Sequence, residues 1–174
     1  SDLAYHQIIE RVEGLSAAQK KDVLDAALAG RGRHDEWLRE FQGAPLAFDI
    51  LMVIGGYRDM HRHRRTSQIR QAWTARHGAA VPEPMQGTPE EQVYLADMAK
   101  AAGYVKELSA WDAEQAHYLL PLGFKCRSLF RMDLAEAGYI IKLRSKEGGH
   151  FSYRRVAYQM YEALVEAYPE MATY

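Results

Sequence analysis

The feature that most constrains the fold is the short apolar run LAFDILMVI, residues 46–54. It is rich in large side chains, and its ends are sharply marked: Pro45 precedes it, and Gly55 and Gly56 follow it. A short apolar run between such breakers predicts a largely buried β-strand. The two glycines predict a change from strand to helix immediately after it.

A basic stretch, defined here as residues 57–67, follows the predicted strand. It carries four arginines and two histidines between residues 58 and 65, where Asp59 is the only acid. The whole chain has a formal net charge of −1, so this positive charge is local. A local cluster favours a bounded anion, such as a phosphate or a dinucleotide, over a long polyanion, and we expect no nucleic-acid partner.

Helical spacing predicts that the basic stretch belongs to a helix reaching about residue 73. On such a helix Arg58, Arg62 and Arg65 would share one face, because positions i, i+4 and i+7 align. Three guanidinium groups on one face repel each other unless an anion lies between them, and arginine suits bidentate contacts to phosphate. This indicates an anion-binding site. A solvated basic face with acidic partners elsewhere in the chain is the alternative.

Other chemistry is disfavoured at the same residues. His61 and His63 would point about 200° apart on a helix, so they could not share a metal, and we predict no metal site. Asp59, His63 and Ser67 have the spacing of a hydrolase triad, but the chain has no Gly-x-Ser-x-Gly turn. A helical Asp59–His63 pair is the simpler reading. Cys126 lies among apolar residues, which predicts a core position rather than a nucleophile. Nucleotide-binding glycine motifs of the Rossmann and Walker types are absent from the sequence.

Periodicity along the rest of the chain predicts a helix-rich α+β fold with few strands, and we treat residues 1–174 as a single domain. The pattern at residues 124–132 fits either a strand or the start of a helix. The predicted helices lie at residues 3–12, 16–30, 35–41, 88–108, 111–119, 134–143 and 151–168.

Composition predicts a cytoplasmic protein. Cys126 is the only cysteine, which rules out an internal disulfide or a cysteine-based zinc site. No apolar run reaches the ~18 residues of a membrane span, and no signal peptide is visible. The chain begins at Ser1 without an initiator Met, which fits a tag scar or a domain excised from a longer or tandem protein.

Arg62-His63-Arg64, followed by Ser67, resembles the opening of a known signature. The flavin-dependent thymidylate synthases carry Arg-His-Arg-x-x-Ser-x-Asn-x-x-Ser-x-Arg. The resemblance extends from about residue 46 to the C-terminus. Its other elements are the apolar run at residues 46–54, Arg58 four residues before the motif, Leu120-Pro121, Leu143-Arg144 and the terminal helix at residues 151–168.

The resemblance implies a thymidylate synthase complementing fold, α+β with a small antiparallel sheet, that assembles as a homotetramer and binds FAD between subunits. It implies methylation of dUMP with methylenetetrahydrofolate as carbon donor and NADPH as reductant. By correspondence, the flavin contacts would be Arg62, His63 and Arg64, and the substrate contacts would be Arg58, Ser67 and Arg144. No catalytic residue is assigned.

The sequence departs from the family pattern mainly in the half that binds the nucleotide. The signature's later Asn, Ser and Arg are replaced by Ile69, Ala72 and Thr74. Further replacements are Asp133 and Tyr139 for asparagines, Ala135 for an arginine, and Gln42-Gly43 for a Glu-His pair. Two alternatives to an active synthase therefore stand: a non-catalytic family domain that serves in assembly or interface formation, and an unrelated phosphate- or nucleic-acid-binding module.

Overall fold

The computed structural model describes residues 2–32, 34–43 and 45–173. The chain divides into two compact units. One unit consists of Ser1–Trp37 together with Ala163–Tyr174, and the other is Leu38–Glu162. Every residue of the candidate site lies in the second unit. The assignment of residues 1–174 to a single domain stays a prediction.

The first unit begins with two helices, α1 (Tyr5–Glu13) and α2 (Ala17–Leu28), and both predictions are confirmed. The Ser16 side chain caps α2 by accepting a hydrogen bond from the backbone of Gln19, and the Gln19 side chain accepts one from the backbone of Ser16. This reciprocal capping box satisfies N–H groups that the first helical turn leaves unpaired. It explains why α2 begins where the sequence predicts.

The predicted helix at residues 35–41 is wrong. The structure has only a 3-10 turn there, Arg39–Gly43, which starts the second unit. Gly43 and Pro45 interrupt the helical pattern at the end of this segment, so the turn does not extend into a regular α-helix.

The second unit contains three strands and five α-helices in its described residues. The strands are β1 (Pro45–Val53), β2 (Ser67–Arg70) and β3 (Lys125–Asp133). The helices are α3 (Ile54–Met60), α4 (Pro89–Ser109), α5 (Ala113–Ala116), α6 (Leu134–Arg144) and α7 (Phe151–Ala167), of which the last continues into the first unit. The predicted α+β class with a small antiparallel sheet is confirmed.

Of two further helical predictions, one changes in detail and one is confirmed. The predicted helix at residues 111–119 is the short α5 followed by a 3-10 turn, His117–Leu119. Its cap is Asp112, whose carboxylate accepts two backbone N–H bonds. The predicted helix at residues 88–108 is confirmed as α4.

The sheet has the order β1-β3-β2, and both pairings are antiparallel. Pro45 lies opposite Asp133 and Val53 lies opposite Lys125, so β1 and β3 pair along their full lengths. Side chains alternate between the two faces, and on β3 the buried ones are Cys126, Ser128, Phe130 and Met132. Phe130 has no exposed area and lies in the core that α3, α6 and α7 cover.

The predicted helix over the basic stretch is wrong. The helix α3 ends at Met60, a turn follows, and Ser67–Arg70 pairs with β3 as β2. The turn is held by side chains: the Thr66 hydroxyl donates to the His63 carbonyl at 2.6 Å, and the Gln68 amide donates to the same carbonyl at 3.2 Å. Pairing with β3 satisfies the backbone groups on one side of β2. The turn spreads the arginines instead of aligning them on one helix face.

Candidate functional site

Three segments meet at the candidate site: the end of α3, the turn that follows it and the helix α6. The turn places His63 inside the molecule, where only 6% of its surface is exposed. The helix α6 brings Arg144 to the same place from more than eighty residues away. The two residues that the resemblance assigns to the flavin and to the substrate are therefore neighbours.

The Arg144 guanidinium is fixed by two hydrogen bonds. Its Nε donates to His63 Nε2 at 2.9 Å, and its Nη2 donates to the backbone carbonyl of Asp59 at 2.8 Å. The Tyr153 ring centre lies 5.2 Å from Cζ, close enough for a cation–π contact. Both bonds use one edge of the guanidinium. The other edge, formed by Nη1 and the second Nη2 hydrogen, has no hydrogen-bond partner among the described residues.

His63 is a neutral acceptor in this arrangement. Burial, assisted by the adjacent Arg144 cation, lowers its pKa to about 4. Because Nε2 accepts the arginine bond, the single ring proton lies on Nδ1. Nδ1 faces a carboxylate oxygen of Glu136 at 3.7 Å. The Asp59–His63 side-chain pair and the Asp59, His63, Ser67 triad spacing required a helix and are not formed among the described residues. Asp59 supplies its carbonyl instead.

Glu136 is a buried acid with 5% of its surface exposed. Its second carboxylate oxygen lies 3.8 Å from Arg65 Nε, so the carboxylate stands between His63 and Arg65. Burial raises its pKa and the nearby Asp133 adds to that effect, whereas Arg65 acts in the opposite direction. Asp133 caps α6 by accepting the Glu136 backbone N–H at 2.7 Å and pairs with Arg65 Nη2 at 2.9 Å. Both acids are therefore committed to internal partners.

Arg62 and Arg64 differ from Arg65 in their surroundings. Both are exposed, and neither has a hydrogen bond or ion pair with any residue that the structure describes. Arg58 on α3 is likewise exposed without such a partner, and Ser67 is exposed at the start of β2. Of the three arginines predicted to share one face, Arg58 and Arg62 are without partners among the described residues, whereas Arg65 pairs with Asp133. The assignments of these residues to flavin and substrate stay predictions.

Tyr139 borders the site from α6. Its ring centre lies 5.9 Å from that of His63 in an edge-on arrangement, and 53% of the residue is exposed. Cys126 takes no part in the site: it is buried in the core as predicted, and burial raises its thiol pKa to about 11.

Sequence reasoning missed Glu136. A signal was present, because Asp133, Glu136 and Arg144 follow a helical i, i+3, i+11 spacing on α6, whose other residues are mostly apolar. Polar residues on one stripe of an otherwise apolar helix indicate buried partners elsewhere in the chain.

Over the described ranges, no group of three or more histidine, cysteine, aspartate or glutamate side chains is arranged to hold a metal ion. Within the same ranges, none of the helices combines the length and the apolar character needed to cross a bilayer.

Comparison with known proteins finds one matching protein family and several related proteins. A family model described as "Thymidylate synthase complementing protein" matches residues 3–170. A UPF0159 protein of Chlamydia muridarum is 32% identical over 148 residues, which are 84% of this chain and 28% of that protein. A UPF0159 protein of Thermoplasma acidophilum is 29% identical over 168 residues, 95% of this chain and 34% of that protein. The chain therefore spans about a third or less of the length of these relatives.

Proposed function

The chain belongs to the thymidylate synthase complementing protein family, and from this premise we propose that it binds FAD at the basic stretch and methylates a uridine nucleotide, dUMP. The carbon donor would be methylenetetrahydrofolate, and the reductant would be NADPH. The chemistry that FAD supplies in this family is hydride transfer from NADPH to the one-carbon unit. The chain's own residues would bind and orient the reactants.

The observation that carries the proposal is the pair of exposed arginines, Arg62 and Arg64, without protein partners among the described residues. Their turn is tied down on both sides, by the Arg144–His63 bond and by the Thr66 and Gln68 bonds to the His63 carbonyl. A fixed turn that carries two free guanidinium groups suits the pyrophosphate of FAD or the negative charge of its reduced ring. The donor set therefore fits an anionic dinucleotide. Because His63 is buried, it would support the turn that carries the arginines and would not contact FAD directly.

The nucleotide would be held at Arg144, Arg58 and Ser67. The free edge of Arg144 presents two N–H groups in one plane, which suits a carbonyl or phosphate oxygen. The replacement of a family asparagine by Asp133 does not place a free negative charge at this position, because Arg65 and the α6 N-terminus already neutralise that carboxylate.

Association of copies of this chain, as a tetramer by family resemblance, also belongs to the proposal. The second unit exposes large aromatic side chains, among them Tyr104, Trp111 and Tyr118, of which Trp111 is almost wholly exposed. Aromatic side chains are enriched on surfaces where proteins bind partners. We further propose that the protein acts in the cytoplasm and does not bind nucleic acid.

A second candidate is a non-catalytic domain that keeps the fold for assembly. Ile69 favours it, because this side chain is 59% exposed on β2 at the position where the family signature has asparagine. The serine hydroxyl and the arginine guanidinium of the signature are likewise missing at Ala72 and Thr74. The relatives are about three times as long or longer, so a tandem protein could carry the catalytic site in another part.

The deciding experiment is a pair of titrations on the purified full chain. FAD binding is measured by quenching of flavin fluorescence, and dUMP binding by calorimetry with FAD present. Binding of both supports the synthase. Binding of FAD without dUMP leaves a flavoprotein with another substrate, and binding of neither favours the non-catalytic domain. Sedimentation velocity on the same sample tests assembly, and a monomer would contradict it.

A further inference from the structure

We propose that Glu136 is a positioning residue: it fixes the proton of His63 on Nδ1, and His63 in turn holds the Arg144 guanidinium with one edge free for a ligand. The identity of that ligand rests on the proposed function. This relay, in which Glu136 acts on Arg144 through His63, is a property of the folded chain. It can be tested without any ligand.

The first step of the relay is the choice of tautomer. A neutral imidazole has one N–H donor and one lone-pair acceptor. With the proton on Nδ1, the N–H points towards the Glu136 carboxylate at 3.7 Å, and the Nε2 lone pair accepts the Arg144 bond. The other tautomer would aim a lone pair at the carboxylate and an N–H at the guanidinium. Both contacts would then be unfavourable, so Glu136 and Arg144 both favour the first tautomer.

The second step is the fixing of Glu136. Its carboxylate is held 3.8 Å from Arg65 Nε, and its backbone N–H is bound by the Asp133 side chain. Asp133 also holds Arg65 at 2.9 Å. Arg65 therefore contacts two acids at the beginning of α6, and the buried Glu136 side chain is held beside His63.

The third step is the orientation of Arg144. His63 Nε2 and the Asp59 carbonyl bind one edge of the guanidinium, so its plane is fixed by two points. The remaining edge is then pre-oriented before a ligand arrives, which removes an ordering cost from binding. Arg144 lies at the far end of α6 from Glu136, and His63 connects the two ends of the helix.

The test is nitrogen-15 NMR of the histidine rings and arginine side chains, with His63→Gln used to assign the His63 signals. In the unaltered protein at neutral pH we expect His63 to be neutral, with its proton on Nδ1 and a slowly exchanging Arg144 Nε–H. A proton on Nε2, or a doubly protonated ring, would overturn the proposal without recourse to any further variant.

Glu136→Leu removes the acceptor and is expected to give mixed tautomers and a rapidly exchanging Arg144 Nε–H. Glu136→Gln keeps a carbonyl that can accept from Nδ1, so it should restore both signals. Glu162→Leu, at an exposed position of α7, is the control and should change neither. A purely structural role would leave the tautomer unaffected in folded Glu136→Leu, and that outcome contradicts the relay.

Ligand affinity separates the relay from the proposed function. If the protein binds dUMP, Glu136→Leu should weaken that binding by about tenfold, the equivalent of one charge-assisted hydrogen bond. Unchanged dUMP affinity would mean that the relay does not position Arg144 for this ligand. Should the unaltered protein bind neither dUMP nor FAD, the proposed function fails, while the NMR result still decides the relay.

Discussion

Replacing His63 should change how stability depends on pH. The pKa of His63 is about 4 in the folded chain, against an ordinary value of about 6.5 for an exposed histidine. Between these values the unfolded chain binds a proton that the folded chain does not, so the free energy of unfolding rises with pH. The part of the free energy of unfolding that depends on a neutral His63 is fully present above about pH 6.5. It is lost as the pH falls to about 4. The gap corresponds to about 3 kcal/mol.

The assay is urea unfolding, followed by tryptophan fluorescence at a series of pH values, of the unaltered chain and of His63→Gln. Glutamine cannot titrate, and its carbonyl can still accept the Arg144 bond. As the pH falls from about 6.5 to about 4, the unaltered chain should lose up to about 3 kcal/mol of its free energy of unfolding relative to His63→Gln. Glu136, whose pKa burial raises, acts in the opposite direction. Since Glu136 is present in both proteins, the difference isolates His63.

The matched control is His61→Gln, because His61 lies two positions away on the same segment but is exposed. Its difference from the unaltered chain should stay flat over the same pH range. Parallel curves for His63→Gln and the unaltered chain would refute a buried neutral His63.

Three further perturbations test the fold. Phe130→Ala should lower the free energy of unfolding by about 3–5 kcal/mol in urea titrations, because the ring is wholly buried. Ser16→Ala should cost about 1 kcal/mol and speed amide exchange at Gln19, because the cap of α2 is lost. Arg127→Ala should leave the urea midpoint within experimental error, because its paired contact to Asp49 lies at the surface.

Much of the fold could be predicted from local sequence. Pro45 and the two glycines at residues 55 and 56 mark both ends of β1, and the capping box at Ser16 marks the start of α2. The strand β2 could not be predicted this way. Its four residues, Ser67–Arg70, become a strand by pairing with residues 128–131 of β3, which lie about sixty positions away. The helical spacing of the arginines predicted a helix here because the sequence alone does not show that β3 pairs with this segment.

The sequence predicted which residues belong to the candidate site, but it did not predict how they are arranged. The family resemblance selected His63 and Arg144 separately, but the bond between them depends on the way α6 packs beside the turn. Glu136 was missed because an acid in a helix is usually exposed, and the polar stripe that it shares with Arg144 does not show that it is buried between His63 and Arg65.

The most direct test of the central claim is the FAD affinity of the Arg62→Ala/Arg64→Ala double variant, measured by flavin fluorescence quenching on the full chain. The unaltered chain is predicted to bind FAD, and the double variant should bind it at least about tenfold more weakly, because two charge-assisted contacts are lost. Arg76→Ala, which removes an exposed arginine outside the site, should bind FAD like the unaltered chain. Equal FAD affinity in the double variant and the unaltered chain would contradict the assignment of the flavin to the basic stretch.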